Sequence, residues 1–118
     1  MLPSTGTSIH RLRLRTTPTA EAVVIHCTGR LTSDYTEELR DEFMRVLPGA
    51  SRIVLDLRDL RHMDSSGLGT LVRLYVSAKS ANCELELVNL NQRIKELLGL
   101  TNLLSVFSTC GQYLTKIP

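Results

Sequence analysis

His62-Met63-Asp64-Ser65-Ser66-Gly67-Leu68-Gly69 stands between an apolar run and a helical pattern. Upstream, Ile53-Val54-Leu55-Asp56-Leu57 reads as a strand: short, rich in branched apolar residues and followed by a charged turn. Downstream, Leu68, Leu71, Val72, Tyr75 and Ala78 recur at helical spacing, with Thr70, Arg73 and Ser77 opposite them. The two serines therefore fall where a strand hands over to a helix. Asp64 or Ser65 can cap that helix, because a short oxygen-bearing side chain accepts a bond from an otherwise orphaned backbone N–H. Gly67 and Gly69 lower helix propensity, so they point to a close approach of backbone or partner. A phosphate on a hydroxyl would also be tolerated here, since free N–H groups and the helix dipole favour negative charge.

Outward from this stretch, strands and helices alternate. Ile9 to Arg15 sets Leu12 and Leu14 against Arg11, Arg13 and Arg15, a half-buried strand. Thr16 to Glu21 reads as a turn, with Pro18 blocking a continued ladder. Ala22 to Cys27 pairs back as a hairpin, with Val23, Ile25 and Cys27 inward. A loop, Thr28 to Ser33, leads to a helix capped by Ser33 or Asp34. That helix buries Leu39, Phe43, Val46 and Leu47, turns Glu37, Glu38, Asp41 and Glu42 to solvent, and ends at Pro48-Gly49. The strand Arg52 to Leu57, the central turn and a helix to about Ala81 follow. Cys83 to Val88 alternates Leu85 and Leu87 with Glu84 and Glu86. Asn91 caps a short helix carrying Ile94, Leu97 and Leu98, closed by Gly99 in a left-handed cap with Leu100 behind it. A last strand around Val106-Phe107 and a final helical turn or two from Thr109 to Lys116 complete the pattern.

This order predicts an α/β fold with right-handed crossovers, a mixed but largely parallel sheet and an antiparallel first strand. Charges along one face of the first and fourth strands place the helices mainly on the other face. At 118 residues the chain is read as one domain, 9–118, behind a mobile tail, 1–8.

Composition narrows the function. A formal charge of +2 argues neither for nor against nucleic acid, but two Phe, three Tyr and no Trp leave few platforms for stacking bases, so no nucleic-acid partner is expected. Cys27, Cys83 and Cys110 are widely spaced and odd in number, as expected of reduced cytoplasmic thiols. No apolar run approaches the ~20 residues of a membrane span, so no direct membrane insertion is expected. An enzyme is not expected either. His62, Asp64 and Ser65 in one tight turn cannot easily form a relay, and position 63 is Met where a nucleophile elbow needs glycine. No phosphate-cradling loop or dinucleotide fingerprint occurs, and His10, His26 and His62 lack metal-ligand spacing, so neither cofactor nor metal is expected. Asp56, alternating with Ile53, Leu55 and Leu57, reads as a carboxylate on the wet face. On residues alone, a plain helix cap is the simpler reading of Ser65.

Met63-Asp64-Ser65-Ser66-Gly67-Leu68-Gly69, in this order of elements, resembles the switch turn of STAS domains, most closely those of bacterial anti-sigma factor antagonists. Gly29-Arg30-Leu31, Ile53 to Leu57 and Ile94 to Leu100 support the resemblance, which extends from about Ile9 to the C-terminus. It implies that Ser65, the first serine after the aspartate, is a kinase target, with Ser66 as runner-up acceptor. It implies an unphosphorylated form that binds an anti-sigma factor with serine kinase activity and frees the sigma factor. Phosphorylation of Ser65 then releases the partner by local charge, about −1.5 to −2, and a phosphoserine phosphatase resets the switch. The implied interface comprises the turn (Asp64, Ser66, Gly67, Leu68, Gly69), Thr70 and Arg73 of the following helix, and the loop Gly29, Arg30, Leu31, Thr32, Ser33. Asp56, at the end of its strand, would support the reaction at the turn. The sequence departs from the family at Thr32, where many antagonists carry an aspartate; Asp34 comes two residues later. That departure, with the basic first strand, keeps two alternatives open: a cytoplasmic regulatory subunit of a lipid or anion transporter, and a ligand-responsive sensor module.

Overall fold

The computed structural model describes residues 11–100. Four strands and three helices follow one another as β1 (Arg13–Pro18), β2 (Val23–Leu31), α1 (Thr36–Val46), β3 (Arg52–Met63), α2 (Ser65–Ser80), β4 (Glu84–Val88) and α3 (Gln92–Leu100). The strands form one open sheet in the order β1-β2-β3-β4, with β1 antiparallel to β2 and the other pairings parallel. A short turn makes the hairpin, where the Thr19 N–H donates to the Ala22 carbonyl at 2.7 Å. The parallel pairings need crossovers, which α1 and α2 supply.

One apolar cluster unites the sheet and all three helices. Ile25 and Leu31 of β2, Leu55 and Leu57 of β3, and Leu85 and Leu87 of β4 meet Leu39 and Phe43 of α1, Leu71 and Leu74 of α2, and Ile94 and Leu98 of α3. All twelve are essentially excluded from solvent, so the helices share one face of the sheet. Two polar contacts fasten α1 to β1 and the residues just before it: Arg11 to Glu38 at 3.1 Å, and the Thr16 hydroxyl donating to Glu42.

The strands run further than the sequence reading set them. β1 continues through Thr16 and Thr17, with Pro18 opposite Val23. Proline is admitted there because β1 is an edge strand and Pro18 its last residue. β2 extends through Gly29 to Leu31, where a loop was expected. Gly29 adopts φ 101° and lies against the backbone of Arg11, where a Cβ would overlap the carbonyl oxygen; only glycine fits both conditions.

β3 runs to Met63 rather than Leu57, and its irregularity shows why alternation failed as a guide. Opposite β2, His26 pairs with Asp56 and Thr28 with Asp59; then Gly29 pairs with Leu60 and Arg30 with His62. β3 thus inserts an extra residue twice, and each bulge re-aims the side chains that follow. Leu57, Leu60 and Met63, three apart, consequently all face the core.

Four smaller expectations are also corrected. Glu86 is 2% exposed, not on a wet face, and is held by Arg52 at 2.6 Å. Neither Ser33 nor Asp34 caps α1, whose N-cap position is Tyr35 with no side-chain bond. Gly99 lies inside α3 rather than beyond it. Thr70 faces inward. Asn91 does cap α3, accepting from the Ile94 N–H at 2.9 Å while donating to the Leu60 carbonyl at 2.8 Å. The tail 1–8, the start of the first strand at Ile9, His10, Cys110, the strand around Val106-Phe107 and the turns from Thr109 to Lys116 lie outside the described residues.

Candidate functional site

The central turn is fixed by Asp64. In extended conformation at the end of β3, it accepts the Gly67 N–H on Oδ1 at 3.0 Å, capping α2. Its Oδ2 accepts the Ser33 N–H at 3.2 Å, so one carboxylate ties the start of α2 to the chain leaving β2. The Asp64 N–H reaches the Leu31 carbonyl at 3.4 Å. Gly67 packs directly beneath this junction, where a Cβ would overlap the Leu31 carbonyl oxygen and crowd the Met63 side chain. The close approach inferred from sequence is therefore real at Gly67, whereas nothing lies within 4 Å of where a Cβ at Gly69 would be.

On this rigid base Ser65 and Ser66 stand exposed as the first two residues of α2. The outward side of the helix continues through Gly69 and Arg73 to Val76, which is 56% exposed. Thr70, expected on that side, is 5% exposed and donates its hydroxyl to the Ser66 carbonyl at 2.9 Å. Gly29, Leu31, Gly67 and Leu68 are likewise inside the fold and shape the site from beneath. The reachable surface is Ser65, Ser66, Gly69, Arg73, Val76 and Ser33, with Arg30, Thr32 and Asp64 half-buried.

Beside the turn lies a cleft of about 420 Å³. Arg30, Thr32 and Ser33 form one side, His62, Met63 and Asp64 another, and Asp34, Tyr35 and Arg93 complete it. Arg30 and His62 are direct cross-strand neighbours. The turn after β2, in which the Tyr35 N–H donates to the Thr32 carbonyl at 2.8 Å, brings Asp34 to the same cleft as Thr32. His62, Asp34, Tyr35 and Arg93 were not singled out for this place. His62 carried a signal in its position two residues before Asp64; Arg93, from α3, carried none that sequence spacing could reveal.

Asp56 stands elsewhere. It is seven residues before Met63, roughly 20 Å along a strand, and belongs to a polar group on the helix-free face. His26 Nδ1–H donates to its Oδ2 at 3.0 Å, and Asn89 and the Arg58 N–H donate to its Oδ1 at 2.9 and 3.1 Å. Burial pushes the Asp56 carboxyl up, but these donors outweigh it and leave the group below its ordinary value. A second cavity, about 240 Å³, opens there between Arg13, Arg15, His26, Thr28 and Asp59. Among the described residues no group of three His, Cys, Asp or Glu side chains could hold a metal ion, and no helix is long and apolar enough to cross a membrane.

The comparison with known families decides the lineage of this arrangement. A family model described as Mlab, STAS domain matches residues 14–106, most of the chain. The chain belongs to the STAS family. A STAS-domain-containing protein of Pseudomonas aeruginosa is 30% identical over 87 residues, 74% of this chain and 86% of its own length. A candidate anti-sigma factor antagonist of Thermotoga neapolitana is 31% identical over 80 residues, 65% of this chain and 69% of its own. Among solved structures, a candidate anti-sigma factor antagonist of Thermotoga maritima superposes with TM-score 0.77 at 23% identity, covering 88% of this chain and 86% of that one. The phosphorylated form of the Bacillus cell fate determinant SpoIIAA gives 0.66 at 19% identity, covering 90% and 91%. The open mixed sheet with its three helices is thus the STAS fold, and in this STAS domain the Asp64–Ser65 turn occupies the junction of β3 and α2.

Proposed function

We propose that this STAS domain is an anti-sigma factor antagonist switched at Ser65. The observation that carries the reading is an exposed Ser65 at the first position of α2, behind an Asp64 whose two oxygens are held by the Gly67 and Ser33 N–H groups. The capped turn leaves the Ser65 hydroxyl exposed to a kinase. Phosphate added there places about two negative charges on the rim of the docking surface, which repels an acidic partner and costs desolvation in any interface. The relative in Thermotoga neapolitana supports the antagonist role, and the solved phosphorylated SpoIIAA supports modification as its control.

The partner is an anti-sigma factor with serine kinase activity, docking on Ser65, Ser66, Gly69, Arg73 and Val76 and on the Thr32–Ser33 corner. A phosphatase restores the binding form, and the site of action is the cytoplasm. The role is binding, not catalysis: Asp64 accepts the Gly67 and Ser33 N–H groups, one on each oxygen, and so serves the turn as a cap and tie. Thr32 replaces an expected carboxylate, but Asp34 supplies one to the same cleft.

The test is affinity for candidate anti-sigma factors of the protein's own host, comparing wild type, Ser65→Ala and Ser65→Asp by calorimetry. The antagonist reading expects wild type and Ser65→Ala to bind alike and Ser65→Asp to lose at least about tenfold, or about 1.4 kcal/mol. Equal affinities would remove the switch. Copurification with a permease or transport ATPase instead would move the transporter-subunit reading ahead.

A further inference from the structure

The Arg30 Nε is buried with no hydrogen-bond partner, and the guanidinium forms no ion pair among the described residues. Arg11, Arg45 and Arg52 are ion-paired with Glu38, Glu42 and Glu86, although the Arg52 Nε is likewise buried without a partner. Across the ladder Arg30 faces His62, not an acid, and Arg93 of α3 lines the same cleft, also without an ion pair among the described residues. A buried donor with no acceptor carries a cost. Of the two carboxylates lining the cleft, Asp64 accepts two backbone N–H groups and Asp34 is exposed. Three groups able to donate to an anion thus converge on a cleft walled by Met63 and Asp64, the two residues before Ser65.

We propose that this cleft is a phosphate site, in which Arg30 and Arg93, with His62 beside them, hold a phosphate dianion. A guanidinium presents paired N–H donors that match phosphate oxygens, and a dianion supplies the missing counter-charge. The phosphate reaches the cleft from one of two sources: phosphoserine at position 65, or a phosphate compound such as ATP in solution. Only the first source rests on the Ser65 reading.

The experiment has two arms, both on the full chain. In the first, ³¹P NMR follows the titration of protein phosphorylated at Ser65. The cleft lowers the second phosphate pKa by about one unit from its ordinary value of about 6. Arg30→Gln and Arg93→Gln each restore it, and Asp34→Asn lowers it further. In the second, Ser65→Ala is titrated with inorganic phosphate and with ATP while the Nε–H signals of Arg30 and Arg93 are watched for saturable shifts that Arg30→Gln abolishes. A response in the first arm assigns the phosphoserine; a response in the second alone assigns the external compound. An ordinary phosphoserine pKa together with no saturable shift overturns the proposal. Phosphorylation that releases the partner in that case leaves the Ser65 switch standing without the cleft. Arg93→Gln keeps the test open should Arg30→Gln disturb folding.

Discussion

The Ser33 backbone N–H donates to Asp64 Oδ2 at 3.2 Å, joining residues 31 positions apart at the turn between β3 and α2. The same carboxylate caps α2, so Asp64 couples the end of β2, the end of β3 and the start of α2.

Removing that carboxylate has two separable consequences. Asp64→Ala loses the cap and destabilises the protein by about 1 kcal/mol, measurable by urea denaturation. Asp64→Asn keeps an acceptor for Gly67 and recovers most of the loss, because Asn caps as well as Asp. A variant Asp64→Ala as stable as wild type would mean that the two bonds contribute nothing in solution.

The two glycines of the turn separate packing from docking. Gly67→Ala forces a methyl group into the Leu31 carbonyl and destabilises by about 1–3 kcal/mol. Gly69→Ala meets open space in an exposed helical position and stabilises by up to about 1 kcal/mol. If Gly69 serves partner approach, Gly69→Ala weakens anti-sigma factor binding while raising Tm. Equal stability changes at both positions would contradict the packing described for Gly67.

Acid stability depends in part on Asp56. Its folded carboxyl lies below its ordinary value because the donors Asn89, Arg58 N–H and His26 overcome the opposing effect of burial. A carboxylate depressed on folding stabilises the native state at pH above its unfolded value and loses that contribution as pH falls through the folded value. The contribution is therefore complete at neutral pH and begins to be lost only as pH falls to about 4, the ordinary carboxylate value. Asp56→Asn removes this limb, so its stability relative to wild type improves as pH falls from 5 to 2; denaturation curves at several pH values read the difference. Parallel curves would show that the polar group on the helix-free face does not form.

The thiols report on the integrity of the core. Burial, reinforced by the negative charge of Asp56, pushes the Cys27 thiol up to about 12, and burial also raises Cys83. At pH 8 iodoacetamide leaves Cys27 unmodified in the native protein, because thiolate and access are both lacking. Intact-mass analysis with peptide mapping checks this, and rapid native modification of Cys27 would contradict its burial.

Much of this was legible in the sequence, and the failures have physical causes. Regular alternation in Leu85 and Leu87 and helical spacing in Leu39 and Phe43 revealed elements whose neighbours are regular. The same logic stopped β3 at Leu57, because two bulges convert its inward period from two to three, and a spacing of three reads as a turn. Glu86 shows the complementary limit: alternation gives a side chain's direction, but not the Arg52 partner that allows burial. At the site, Asp64 and Gly67 were readable because capping and close packing are local. Thr70 was misplaced because its hydroxyl is satisfied within the helix by the Ser66 carbonyl, so a polar residue could turn inward. Arg93 was invisible because only the tertiary fold brings α3 to the cleft.

Intact-mass spectrometry of the protein purified from its own host, with peptide mapping across the turn, tests the central claim most directly. The account predicts a partial population heavier by one phosphate, localised to Ser65 and varying with growth condition. No phosphate under any condition, or phosphate confined to another residue, would contradict it.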